Sequence, residues 1–69
     1  MPRYFFHVRG GAFSFDDETG ETCSSHEAAE AIASNIAREL AGDGETYRGY
    51  HVLVTDQNGN EIGRIAIAD

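Results

Sequence analysis

Covalent staples are all but missing from this sequence. Its 69 residues include a single cysteine, Cys23, so no disulfide can form within the chain. Cys23 has no CxxC partner and no flanking Lys or Arg, so nothing marks it as an activated thiol. It reads as a small, semi-buried residue just ahead of a helix, and a lone thiol suits a reducing, cytoplasmic location. Long apolar runs are missing too. Tyr4 to Phe6, like every other apolar run in the chain, is far too short to span a membrane. The N-terminus has neither the extended apolar stretch nor the small-residue cleavage site of a secretory signal. Lysine is absent: the five basic residues are all Arg, opposed by 12 acidic ones, for a net charge of -7. That balance repels phosphate backbones and argues against nucleic-acid binding, while leaving a basic protein partner open. Catalytic signatures are also lacking. There is no G-x-G-x-x-G, no P-loop, no H-E-x-x-H, and no nucleophile with a base at readable spacing.

What is present describes one small α+β domain over residues 1–69. Tyr4, Phe6 and Val8 alternate with Arg3, Phe5, His7 and Arg9, a strand pattern closed by the turn signal Gly10-Gly11. Ala12 to Asp16, with Phe13 and Phe15 alternating, reads as a returning strand. After a polar stretch, Ser24 and Glu27 have capping-box spacing. Ala28, Ile32, Ile36 and Leu40 then step by four, and Ala29, Ala33 and Ala37 widen the stripe. Gly42 and Gly44 supply a left-handed stop. Tyr50 to Thr55 and Ile62 to Ala68 form two further strands joined through Asn58-Gly59, a two-residue hairpin signal. One helix covers one face of one sheet, so the predicted architecture is a two-layer sandwich. Its order is strand-strand-helix-strand-strand, around a mostly antiparallel sheet. The predicted core is Tyr4, Phe6, Val8, Phe13, Phe15, Ile32, Ile36, Leu40, Val52, Val54, Ile65 and Ile67.

The opening M-P-R-Y-F-F-H-V, the D-x-x-G-x-E segment (Asp17, Gly20, Glu21), the Ala/Glu-rich helix and the closing V-T-D-x-x-G (Val54, Thr55, Asp56, Gly59) resemble a family of short bacterial proteins. That family is a domain of unknown function. The resemblance spans nearly the whole chain and implies its boundaries, but no activity, ligand or catalytic residue.

Acidic clusters and histidines are the candidate metal ligands. A calcium loop of the EF-hand type needs Gly at its sixth position and Glu at its twelfth. Counting from Asp16, Gly20 falls fifth and Glu21 sixth; from Asp56, the sixth is Glu61 and the twelfth Ile67. Neither fits, and no metal or cofactor is expected. His26 belongs to the first helical turn, facing solvent. His7 and His51 fall on the sheet face away from the helix, and they meet only if the first and third strands are neighbours.

That outer face also carries Phe5, Leu53, Ile62 and Arg64, with Ile62 moving to the other face should a bulge occur near Gly63. Large apolar residues rimmed by Arg and His on a bare sheet face read as a surface for another chain. The expected interaction surface is therefore Phe5, His7, His51, Leu53, Ile62 and Arg64, used for homodimerisation by an interaction or structural module. Two alternatives come from other classes. One is a small enzyme or ligand-binding protein built on His7, His51 and acidic loop residues; the other is an antitoxin-like regulator binding a basic protein.

Overall fold

The computed structural model describes residues 2–67, so Ala68, predicted in the last strand, lies outside the described residues. The elements in chain order are β1 (Arg3–Arg9), β2 (Ser14–Phe15), β3 (Glu21–Thr22), α1 (His26–Ala41), β4 (His51–Asp56) and β5 (Glu61–Ala66). All strand pairings are antiparallel, in the order β2-β1-β4-β5, with β3 also on β1. This is the α+β arrangement predicted, with five strands where four were expected. The extra one arises because the chain returning from Gly10-Gly11 pairs with β1 twice. Val8 faces Phe15, yet Tyr4 faces Glu21, so four steps along β1 correspond to six along the returning chain. The surplus residues leave the edge as a loop, and Asp16 is in that loop rather than in a strand.

Strand order, open in the sequence, is set by β1 lying beside β4, with Phe6 opposite Val54 and Val8 opposite Val52. These side chains share the helix face, since directly opposed residues project to the same side. Helix α1 starts one residue later than the capping box indicated. Ser25, not Ser24, is the N-cap; its backbone is extended and its hydroxyl accepts from Ala28 N at 3.1 Å. The Cys23 amide donates to the Pro2 carbonyl, which keeps the chain extended beyond β3 and delays the first turn. At the other end Gly42 is right-handed helical, and Gly44 is the left-handed residue.

The centre of the helix contact is the alanine stripe. Ala29, Ala33 and Ala37 are buried, whereas Ile32, Ile36 and Leu40 pack around them half-buried. Alanines bring the helix close to the sheet, directly over β4 and β5. Two core assignments fail for this reason: Phe13 and Phe15, beyond the helix's reach, are 37% and 55% exposed. Tyr50, Cys23 and Ile67 join Tyr4, Val52 and Val54 in the buried cluster.

The β4–β5 connection also differs from the two-residue turn predicted. Asp56 N donates to the Asn60 carbonyl and Gly59, at φ +85°, donates to the Asp56 carbonyl, so three residues are enclosed. This is a turn with a glycine bulge, one of the next commonest hairpin types. Asp56 stabilises it through amide bonds from Asn58 and Asn60, which, led by Asn60, hold its carboxyl below the ordinary value. Just past the turn, Val54 faces Gly63 but Thr55 faces Glu61. Ile62 is the bulged residue, and it packs against the core cluster. Its assignment to the outer face is corrected accordingly.

Because Ala33 has no exposed surface, Ala33→Leu forces extra methylenes into a closed contact and is expected to cost about 1–3 kcal/mol in urea unfolding. An unchanged midpoint would show that the helix stands farther from β4 than its alanines require.

Candidate functional site

Two surfaces gather the chemistry-bearing side chains: the outer sheet face, and an aromatic end where β2 meets the loop before β4. On the outer face Phe5 lies opposite Thr55, His7 opposite Leu53, and Arg9 opposite His51; Leu53 and His51 in turn face Arg64 and Ala66 of β5. The fold therefore brings five of the predicted surface residues, Phe5, His7, His51, Leu53 and Arg64, onto one face. Of these, only Arg64 is exposed. Phe5, His7, His51 and Leu53 are all half-buried.

Over Phe5 and His7 the cover is the loop carrying the surplus residues of the β1 edge. Gly20, at φ +73°, lies against the Phe5 ring and the Tyr4 carbonyl; a side chain there would be strained and would collide with both. Asp17 fastens the loop. Its carboxylate accepts from Phe6 N at 3.2 Å, standing in for the strand carbonyl that the detour removed, and from Thr19 N and Gly20 N at 3.1 and 3.0 Å. Partial desolvation pushes the Asp17 carboxyl up, but the amides of Gly20, Phe6 and Thr19, with His7 adding a little, hold it below its ordinary value.

The backbone of Asp17 bonds to β1 as well. Its amide donates to His7 Nδ1 at 3.0 Å, while His7 Nε2 lies 3.1 Å from Thr55 Oγ1. An amide can only donate, so Nδ1 must be the lone-pair nitrogen and Nε2 carries the hydrogen towards Thr55. This polarity is the reverse of nucleophile activation, where Nε2 accepts the hydroxyl proton and Nδ1–H is held by a carboxylate. The nearest carboxylate oxygen to Nδ1, Asp16 Oδ1, is 3.9 Å away and bonded to Arg9 at 2.6 Å. Arg3 and Arg64 are likewise engaged, by the Thr19 carbonyl at 2.7 Å and by both carboxylate oxygens of Glu61. Among the described residues no three of His, Cys, Asp and Glu converge to hold a metal ion. Cys23 is buried, which pushes its thiol up, and Glu21 adds to the effect. A thiol held protonated in this way is a core residue rather than a nucleophile.

The aromatic end was not anticipated as a surface. Tyr50 is buried and its hydroxyl accepts from Ala12 N and Phe13 N at 3.1 and 3.2 Å, which fixes the chain entering β2. Around it Phe13 contacts Phe15, Tyr47 and Tyr50 with ring centroids 5.0, 5.9 and 4.7 Å apart. Phe15 faces Val8, so this cluster continues the helix side of the sheet past the helix itself. A shallow groove of about 230 Å³ also runs between α1 and β5, lined by Ser34, Ala37, Arg38, Ala41, Ile65 and Ala66.

These features define a small two-layer α+β protein with a clasped outer face and an uncovered aromatic end, and with no catalytic arrangement among the groups described. The model of a domain of unknown function, DUF6894, matches residues 3–68, and the chain belongs to that family. No curated protein and no solved structure matches it.

Of the residues forming the clasp, Phe5 and His7 were expected on this face, while Asp17 and Gly20 stood out only as parts of the D-x-x-G-x-E segment, with no role assigned. Asp17 and Gly20 carried a usable signal, since an aspartate commonly caps amides two and three residues ahead of a glycine turn. Replacing Asp17 with Ala leaves the Phe6, Thr19 and Gly20 amides without this partner, and is expected to cost about 1–2 kcal/mol, allowing for partial solvent exposure. With a folded-state value below the ordinary 3.8, the ionised carboxylate contributes its full stability above that pH and loses it as pH falls through the folded-state value. The stability gap between parent and Asp17→Ala, measured by urea unfolding, should therefore be full at pH 7 and close progressively below about pH 4.

Proposed function

We propose that this protein is a cytoplasmic, homodimeric interaction module whose contact surface is the aromatic end, centred on Phe13 and Phe15 with Tyr47 beside them. One observation carries this reading: Phe13 and Phe15 are the exposed large hydrophobic side chains among the described residues, and they touch each other. Clustered exposed aromatics on a small domain mark surfaces that other chains cover. Each ring fully buried in such a contact contributes roughly 1.5–3 kcal/mol before the cost of association. A two-fold arrangement lets one patch serve both copies.

The predicted dimer through Phe5, His7, His51, Leu53 and Arg64 is the second reading, favoured by their placement on one face. The loop over Phe5 and the internal partners of Arg3, Arg9 and Arg64 weigh against it. No helix among the described residues is long and apolar enough to cross a membrane. An enzyme built on His7 and His51 draws no support from the polarity of the His7 ring.

Sedimentation of the parent and two double variants separates the surfaces. Phe13→Asp with Phe15→Asp is expected to give a folded monomer, whereas Phe5→Asp with Leu53→Asp leaves the dimer intact. Each chain carries a net charge of -7, so an apolar contact should also tighten as salt rises. A parent that stays monomeric at high micromolar concentration, or a reversed response of the two variants, overturns the assignment.

A further inference from the structure

We infer that His7 is a proton-operated switch for the loop over the outer face: neutral, it holds the Asp17 amide; protonated, it turns to the Asp16 carboxylate and releases that amide. The starting arrangement admits one protonation state. Nδ1 accepts from Asp17 N at 3.0 Å and Nε2 donates to Thr55 Oγ1 at 3.1 Å, so both ring nitrogens are used and the ring is neutral. A proton taken from solvent at Nδ1 sets two N–H donors against each other, and the amide bond is lost. Asp16 Oδ1, only 3.9 Å from the same nitrogen, is the acceptor that the new N–H can reach. The two states therefore differ in a defined exchange of partners.

The surroundings favour a local exchange over general unfolding. The loop presents two carboxylates to the ring, Asp16 and Asp17, both of which attract an imidazolium. On β1 itself the neighbouring cation Arg9 is bonded to Asp16 at 2.6 Å, so the imidazolium joins an acid that is already compensated in part. From β4 the facing titratable group is His51, opposite Arg9, and from β5 come Arg64, opposite Leu53, and Glu61, opposite Thr55, with those two bonded to each other. Phe5, whose ring lies nearly parallel to that of His7 at 6.4 Å, and Gly20 against Phe5 carry the movement to the rest of the loop. The Asp17 carboxylate keeps its amide bonds while this happens, so the loop loosens at one end rather than detaching. A histidine so engaged responds to pH for a physical reason: the added proton takes the lone pair to which the amide N–H was bonded.

The test uses the intact chain, with imidazole and amide nitrogen spectra and hydrogen exchange recorded from pH 8 to pH 5, a range that brackets ordinary imidazole protonation. The expected result has His7 with hydrogen on Nε2 at pH 8. As the ring then titrates, the Asp17 amide shifts in parallel and its exchange protection, corrected for intrinsic rate, falls roughly two- to tenfold. The buried helix residue Ala33 keeps its protection throughout, and in His7→Gln the pH response of Asp17 disappears. Hydrogen on Nδ1 at pH 8, a ring that does not titrate down to pH 5, or an Asp17 amide indifferent to the titration overturns the proposal. So does a simultaneous loss of protection at Ala33, which would mark global unfolding.

Discussion

A single helix is too narrow for this sheet, and most of what is distinctive here follows from that. A helix with its side chains is about 10 Å across and strands are spaced about 4.8 Å apart, so one helix covers about two strands. Helix α1 lies over β4 and β5. The first turn of α1 still reaches Tyr4, but the helix side of β2 and of the far end of β1 is left to the connecting segments, and they supply aromatics. Tyr50 fills the inner part and is buried, Tyr47 flanks it, and Phe13 and Phe15 complete the layer while remaining exposed. The same shortage of cover produces a stable core at one side of the sheet and a candidate contact surface at the other.

The opposite face solves a different problem. β1 is the strand on which the sheet is built, paired along its length with β4 on one edge and in two pieces with β2 and β3 on the other. Between those pieces the edge amide of Phe6 faces the loop, and an unmet amide would be costly. The Asp17 carboxylate meets it, and by capping Thr19 and Gly20 it also sets the path that lays Gly20 on Phe5. A large aromatic on the outer face is therefore explained by the chain's own loop. Phe5 is the floor on which the detour rests.

How much of this could be read from residues alone depended on the range of the interaction. Helix α1, β1 and β4 rest on local periodicity and lie within about a residue of where their patterns predict, and the β4–β5 hairpin is equally local, although its turn encloses three residues where two were expected. The N-cap moved from Ser24 to Ser25 because an amide bond from Cys23 to Pro2, distant in sequence, governs where the chain leaves the sheet. Phe13 and Phe15 alternate as core residues do, but alternation gives the face and says nothing of whether a helix reaches it. Ile62 shows the same limit: one bulged residue moves its side chain to the core, and the glycine that follows only hints at the site. The His7 clasp was legible in half. Its histidine stood on the predicted face, while its partners are non-local: β1–β4 pairing brings Thr55, and the register step on the other edge of β1 brings Asp17.

Charge completes the argument. All five arginines have partners within the chain: Arg3 the Thr19 carbonyl, Arg9 Asp16, Arg38 Asn35, Arg48 Glu45 and Arg64 Glu61. Arg3 and Arg38 bond to neutral oxygens and keep their charge, but with a net charge of -7 the field that one copy presents to another is repulsive at distances within a Debye length. In the proposed dimer, attraction between copies has to come from apolar surface, and on the outer face the loop covers Phe5. Apolar surface is open at the aromatic end, where Phe13 and Phe15 are neutral and already ordered by Tyr50, so that little side-chain freedom remains to be lost on contact.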